Sequence, residues 1–173
     1  MSKIPKIFKG KLLQIATGVE LAICPALRGD VHSMLENLAE EAKNEICIAN
    51  PLITIKAKDF VTRICKKAKS KGVNVRILTR IDPDKMNIIV PVLKAIAEII
   101  GHENIRIRDS LHAKFAIFDK KTVFISSANL TGASTIDNDE IAVKIDLESV
   151  AKEAYKYFQD MWDSSKELKE VIR

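Results

Sequence analysis

The sequence is sparing with residues that punctuate or cross-link a chain: 6 glycines, 5 prolines and 3 cysteines in 173 residues. So little Gly and Pro excludes a collagenous or low-complexity chain. Cys24, Cys47 and Cys65 are odd in number, far apart, and form neither a C-x-x-C pair nor a Cys/His cluster. A disulfide framework and a zinc site are therefore not expected; buried free thiols in a reducing compartment are. Carboxylate or imidazole groups at metal-ligand spacing are also missing, so no metal or other cofactor is expected. Long apolar runs are absent too. Lys3, Lys6, Lys9 and Lys11 break the N-terminal stretch below the length of a secretory h-region, and Lys94 and Glu98 interrupt Ile88 to Ile100 short of a membrane span. A soluble, cytoplasmic protein is expected.

What is present, 47% hydrophobic and 29% charged residues, belongs to a folded globular chain. At this length one domain, residues 1–173, is expected. The net charge of +5 and pI near 9.1 favour encounter with a polyanion, though many basic proteins bind none.

Along the chain, Ile4 to Ile23 reads as one or two strands. Asp30 as N-cap, then Val31, Met34, Leu35, Leu38 and Ala42, predict a helix; its first turn places His32 in solvent. The strand Glu45–Asn50 stops at Pro51, and a helix from about Asp59 to Lys71 ends at Gly72. The strand Val73–Thr79 and a third helix follow, with Pro91 in its first turn and Gly101 at its end. Strands at Asn104–Arg108, Leu111–Phe118, Thr122–Ser127 and Glu140–Ile145 precede a helix from about Leu147 to Trp162. Helices alternating with strands early and adjoining strands late predict an α/β fold, a mixed sheet with helices on both faces.

The segment LHAKFAIFDKKTVFISSAN is the specific one. In an extended strand His112 and Lys114 share a face, as do Ser127 and Asn129, and Asp119-Lys120-Lys121 makes the turn of a hairpin that brings the two pairs together. An imidazole, a fixed cation, a hydroxyl and an amide at one spot suit a phosphodiester. The imidazole can attack phosphorus while Lys114, Ser127 and Asn129 hold the non-bridging oxygens. Asp119 is the member least expected to touch substrate.

These residues resemble the phospholipase D superfamily, whose motif is H-x-K-x4-D-x6-G-S-x-N. His112, Lys114, Asp119, Ser127 and Asn129 stand at its spacings, and Ser126 replaces the usual Gly. The likeness covers most of the chain from Asp30 onward and implies the family's half-unit fold. It also implies that Glu140, eleven residues beyond Asn129, orients His112 through its second ring nitrogen. Larger members hold two motifs, one His as nucleophile and the other as acid. This chain has one, since neither His32 nor His102 is followed by x-Lys.

The resemblance thus implies a homodimer with a shared site. The activity expected is metal-independent phosphodiester hydrolysis through a phosphohistidine, as an endonuclease on DNA or RNA. A phospholipase or phosphatidyltransferase is the alternative, disfavoured by the lack of a membrane segment or an aromatic-rich amphipathic helix. A non-catalytic ligand-binding module on the same fold is the third reading. The basic face of the second helix (Arg63, Lys66, Lys67, Lys69) reads first as solvated and second as a DNA contact. Related nucleases can work beside helicase or methyltransferase subunits, and the sequence leaves such partners open.

Overall fold

The computed structural model describes residues 11–24, 30–131 and 138–172. The residues before position 11 of the expected Ile4–Ile23 strand region lie outside these, as do the side chains of Cys24 and Asp30. The strands are β1 (Lys11–Ala16), β2 (Val19–Cys24), β3 (Glu45–Ala49), β4 (Asn74–Thr79), β5 (Ile105–Ile107), β6 (Phe115–Phe118), β7 (Thr122–Ser126), β8 (Glu140–Ile145) and β9 (Lys166–Glu167). The helices are α1 (Asp30–Glu41), α2 (Lys58–Ser70), α3 (Met86–Ile100), α4 (Glu148–Asp163) and α5 (Leu168–Val171).

All nine strands join one sheet in the order β1-β2-β8-β7-β6-β3-β4-β5-β9. The pairs β3–β4 and β4–β5 are parallel and the others antiparallel, which makes the sheet mixed. Central β3 shows why its run is apolar throughout. Ile46 and Ile48 enter the core beneath α1, α2 and α3, whereas Cys47 and Ala49 enter a second cluster with Phe158, Met161 and Trp162 of α4. With helices on both faces, neither side of the strand is solvated. Burial also pushes the Cys47 and Cys65 thiols up to about 12, leaving them unreactive at neutral pH.

The second layer is held by Arg76 of β4. Its guanidinium lies 5.4, 5.3 and 5.3 Å from the ring centres of Tyr155, Phe158 and Trp162, and it donates to Tyr155 Oη at 2.8 Å and Gln159 Oε1 at 2.9 Å. A delocalised, weakly hydrated cation suits such an aromatic site better than an ammonium.

Two expectations are corrected. Pro91 lies inside α3 and not in its first turn, because Pro83 opens a 3-10 turn (Pro83–Lys85) that leads into the helix a turn earlier. His32 is buried, 7% exposed, with its ring 5.0 Å from and edge-on to that of Phe60 in α2. The short C-terminal pair β9 and α5 was not foreseen; its one local signal is a reciprocal capping box between Glu167 and Glu170.

Candidate active site

The hairpin β6–β7 is formed as expected. Phe115 pairs with Ile125 and Phe118 with Thr122, and both Asp119 and Lys120 adopt positive φ, 53° and 54°. This mirror-image turn matches the twist of the strands but costs about 1–2 kcal/mol for each non-glycine residue in the left-handed region. Asp119 supplies the compensation. Its carboxylate accepts from the backbone N–H groups of Lys43, Asn44 and Glu45 at 2.9, 2.7 and 2.9 Å, tying the turn to the loop between α1 and β3. Partial burial pushes its pKa up, but these backbone donors, with help from Lys121, outweigh that and bring it below the ordinary aspartate value. Asp119 stands beyond the far end of β6, roughly 17 Å along the strand from Lys114, and has an architectural place.

At the open end the remaining residues gather. β6 begins only at Phe115, so His112 and Lys114 precede the strand, although the Ser126 N–H still donates to Lys114 O at 3.1 Å. His112 is exposed, and Lys114 Nζ donates to the His112 carbonyl at 3.2 Å. Both line an open pocket of about 330 Å³ together with Ser126, Phe115, Ile125 and Tyr157. Ser126, at the position where the motif has Gly, has its Oγ 3.4 Å from Ala128 O and is accommodated.

Ser127 and Glu140 meet directly. The Ser127 hydroxyl donates to Glu140 Oε2 and accepts from the Ile141 N–H at 3.0 Å, while the Ser127 N–H donates to Ile141 O at 2.9 Å. The hydroxyl proton is therefore engaged by a buried carboxylate, and Glu140 meets Ser127 where the resemblance gave it His112. Asn129 is half-buried, and its Oδ1 is buried with no hydrogen-bond partner among the described residues.

Behind the motif lies a cavity of about 20 Å³, room for a single water, lined by His32, Asn50, Lys114, Ser126, Ala128 and Leu130 among others. Neither ring nitrogen of His32 has a hydrogen-bond partner among the described residues. Burial lowers its pKa more than the nearby Glu140 charge raises it, so the imidazole is neutral near pH 7. Sequence reasoning missed His32 and Asn50. Asn50 reads as the end of a strand stopped by Pro51, and no local pattern marks it as the partner of a loop eighty residues on.

The basic face of α2 is partly neutralised. Arg63 makes a two-point pair with Glu36 of α1 (2.7 and 3.2 Å), and Lys67 pairs with Glu40. Among the described residues no group of three or more His, Cys, Asp or Glu is placed to hold a metal ion, and no helix is long and apolar enough to cross a membrane.

Comparison with known proteins bears on this geometry. Residues 35–162 match the model of the family described as cardiolipin synthase, PLD-like domain. No curated protein matches the sequence. Among solved structures, Nuc from Salmonella typhimurium, described as a phospholipase D family member, is similar with a TM-score of 0.73 and 23% identity, over 86% of this chain and 96% of that one. NucT from Helicobacter pylori gives 0.71 and 20%, over 87% and 98%. TrmBL2, described as an archaeal chromatin protein with a novel mode of DNA binding, gives 0.59 and 22%, over 86% of this chain and 54% of that one. With the family model spanning most of the sequence and the fold shared with Nuc, the chain belongs to the PLD-like domain family of the phospholipase D superfamily.

Proposed function

We propose that the protein is a phosphodiesterase of the nuclease type, cleaving DNA or RNA without a metal in a site shared by two copies of the chain. The observation that carries this reading is the pocket holding His112 and Lys114 at the mouth of a hairpin whose other strand runs on into Ser127 and Asn129. An exposed imidazole and a half-buried ammonium with no acidic partner among the described residues, in a chain of net charge +5, suit an anionic backbone.

In the first step a neutral His112 nitrogen attacks phosphorus. An N–P bond forms as the P–O bond to the leaving group breaks, and the leaving oxygen takes a proton from the partner's protonated His112. That second imidazole, now neutral, next takes a proton from water; the oxygen attacks phosphorus, the N–P bond breaks, and both side chains are restored. Lys114 and the Asn129 amide stabilise the charge that grows on the non-bridging oxygens. Glu140 and Ser127 form the support behind them. One imidazole must be neutral and the other charged, so the rate passes through a maximum with pH.

The surface beside the pocket supports a second copy. Val150, Ala154 and Tyr157 recur at helical spacing along α4, and Val150 and Tyr157 are exposed, as are Leu147 just before the helix and Ile125 of β7 and Ile141 of β8 on the sheet face alongside. Exposed apolar side chains gathered on one face mark an interaction surface. A two-fold axis through it would bring the two His112 side chains together.

The test is a panel of plasmid, single-stranded DNA, RNA and phospholipid vesicles in excess EDTA, with wild type and His112→Ala. Nucleotide release lost in the variant is expected. Headgroup release from vesicles instead would favour the lipid activity that the family's description names. Tight nucleic-acid binding without turnover would favour a binding module, in line with the DNA-binding description of TrmBL2.

A further inference from the structure

We propose that Asn50, at the end of β3, is a positioning residue that sets the Asn129 amide against the phosphate; this rests on reading the motif as a phosphodiester site. Asn50 is only 5% exposed, and a buried amide is tolerated when its bonds are made. Its Nδ2 donates to Ala128 O at 3.2 Å, and its Oδ1 accepts from the N–H groups of Leu130 at 3.1 Å and Leu52 at 3.3 Å. Ala128 and Leu130 flank Asn129. One planar group with a donor and an acceptor at its tip thus grips the peptide on either side of the motif residue, which a carboxylate or hydroxyl of that length cannot do.

The grip is anchored in the middle of the sheet. The Asn50 N–H donates to Leu78 O of β4 at 3.0 Å, and the preceding Ala49 pairs with Phe115 of β6. A second tie comes from the same segment: Ile53 forms a parallel bridge with Leu130, and the Thr54 N–H donates to Leu130 O at 3.0 Å. Asn129 itself has little to hold its side chain, because its Oδ1 is buried without a partner among the described residues. Its aim is therefore set by its backbone, and Asn50 sets the backbone.

Two variants test this. Asn50→Asp keeps the size and both acceptor bonds but turns an oxygen toward Ala128 O; Asn50→Ala removes the grip and enlarges the cavity behind it, and serves if the aspartate variant does not fold. Either should lower kcat about ten- to a hundred-fold with KM within about two-fold of wild type. Combined with Asn129→Ala, neither should slow the enzyme further, because Asn50 acts only through Asn129. Losses that multiply would overturn the proposal, and so would an equal loss of kcat in Leu52→Ala, which keeps the Asn50 bonds. A nitrogen-15 NMR titration with inorganic phosphate separates this from failure of the catalytic reading. If wild type turns nothing over, phosphate should still shift the Asn129 side-chain amide in wild type and not in Asn50→Ala. An unchanged Asn129 and Leu130 spectrum in that variant sinks the positioning role whatever the activity.

Discussion

The two ends of the β6–β7 hairpin carry residues of the same motif and treat them oppositely. At the turn, the Asp119 carboxylate is saturated by three backbone donors and holds two left-handed residues in place. At the mouth, His112 is exposed, and the Asn129 oxygen is buried without a partner among the described residues. A polar group whose bonds are made within the fold supports architecture; one exposed in an open pocket, as the His112 ring is, is available to a ligand. The motif is thus a mixture of chemistry and scaffold, and spacing alone does not sort one from the other.

The largest expected effect separates the ends outright. His112→Ala should lose on the order of 10⁴-fold or more in phosphodiester cleavage, as nucleophile removal does elsewhere, with Tm nearly unchanged because the side chain is exposed. Next comes the face beside the mouth. Ile125→Glu should give a monomer in sedimentation with little activity at dilute concentration, partly recovered as the protein is concentrated; a fully active monomer would remove the need for a shared site.

Asp119→Ala should do the reverse of His112→Ala. Loss of a carboxylate bound by three backbone N–H groups costs about 2 kcal/mol, or roughly 4–8 °C in Tm for a chain of this size, while the folded fraction keeps its activity within a few-fold. Because the folded pKa of Asp119 is depressed, its contribution is in force above the unfolded value and fades as pH falls through the folded one. The stability difference between wild type and variant should therefore shrink as pH is lowered below the ordinary aspartate value. His32 acts with the same sign in a higher pH window. Its folded pKa lies below 6.5, so the unfolded chain binds a proton that the native state refuses, and stability falls as pH drops below about 6.5. The slope is at most about 1.4 kcal/mol per pH unit, and denaturant midpoints of His32→Leu should lack it.

Much of this contrast was legible in the sequence because it is local. The hairpin, its turn residues and the apolar run of β3 are written in a few adjacent positions, and the low expectation for Asp119 as a substrate contact followed from turn chemistry. What was not legible depends on distant partners. His32 lies on the flank of the α1 apolar stripe, and only the arrival of Phe60 from α2 closes that flank. Asn50 reads as the last residue of a strand stopped by Pro51 until Ala128 and Leu130 come to meet it. Pro91 misled because a proline can begin a helix, and nothing nearby reveals that Pro83 has already done so.

The smallest effect concerns the basic face of α2, which in sequence is a row of cations and in the fold is partly a set of pairs. Arg63 and Lys67 meet Glu36 and Glu40 of α1, from 27 residues away. The Arg63–Glu36 pair is still partly exposed, at 49% and 24% for the two side chains, so it contributes no more than about 1 kcal/mol to stability. It does more to the field: a cation matched by a carboxylate adds little to attraction of a phosphate backbone. The double variant Arg63→Ala/Lys67→Ala should therefore bind DNA within about two-fold of wild type and leave the dependence of log K on log salt almost unchanged. Two cations in contact with phosphate would instead reduce that slope by about two. A reduction of that size would return α2 to the nucleic-acid surface and extend the substrate path beyond the hairpin mouth.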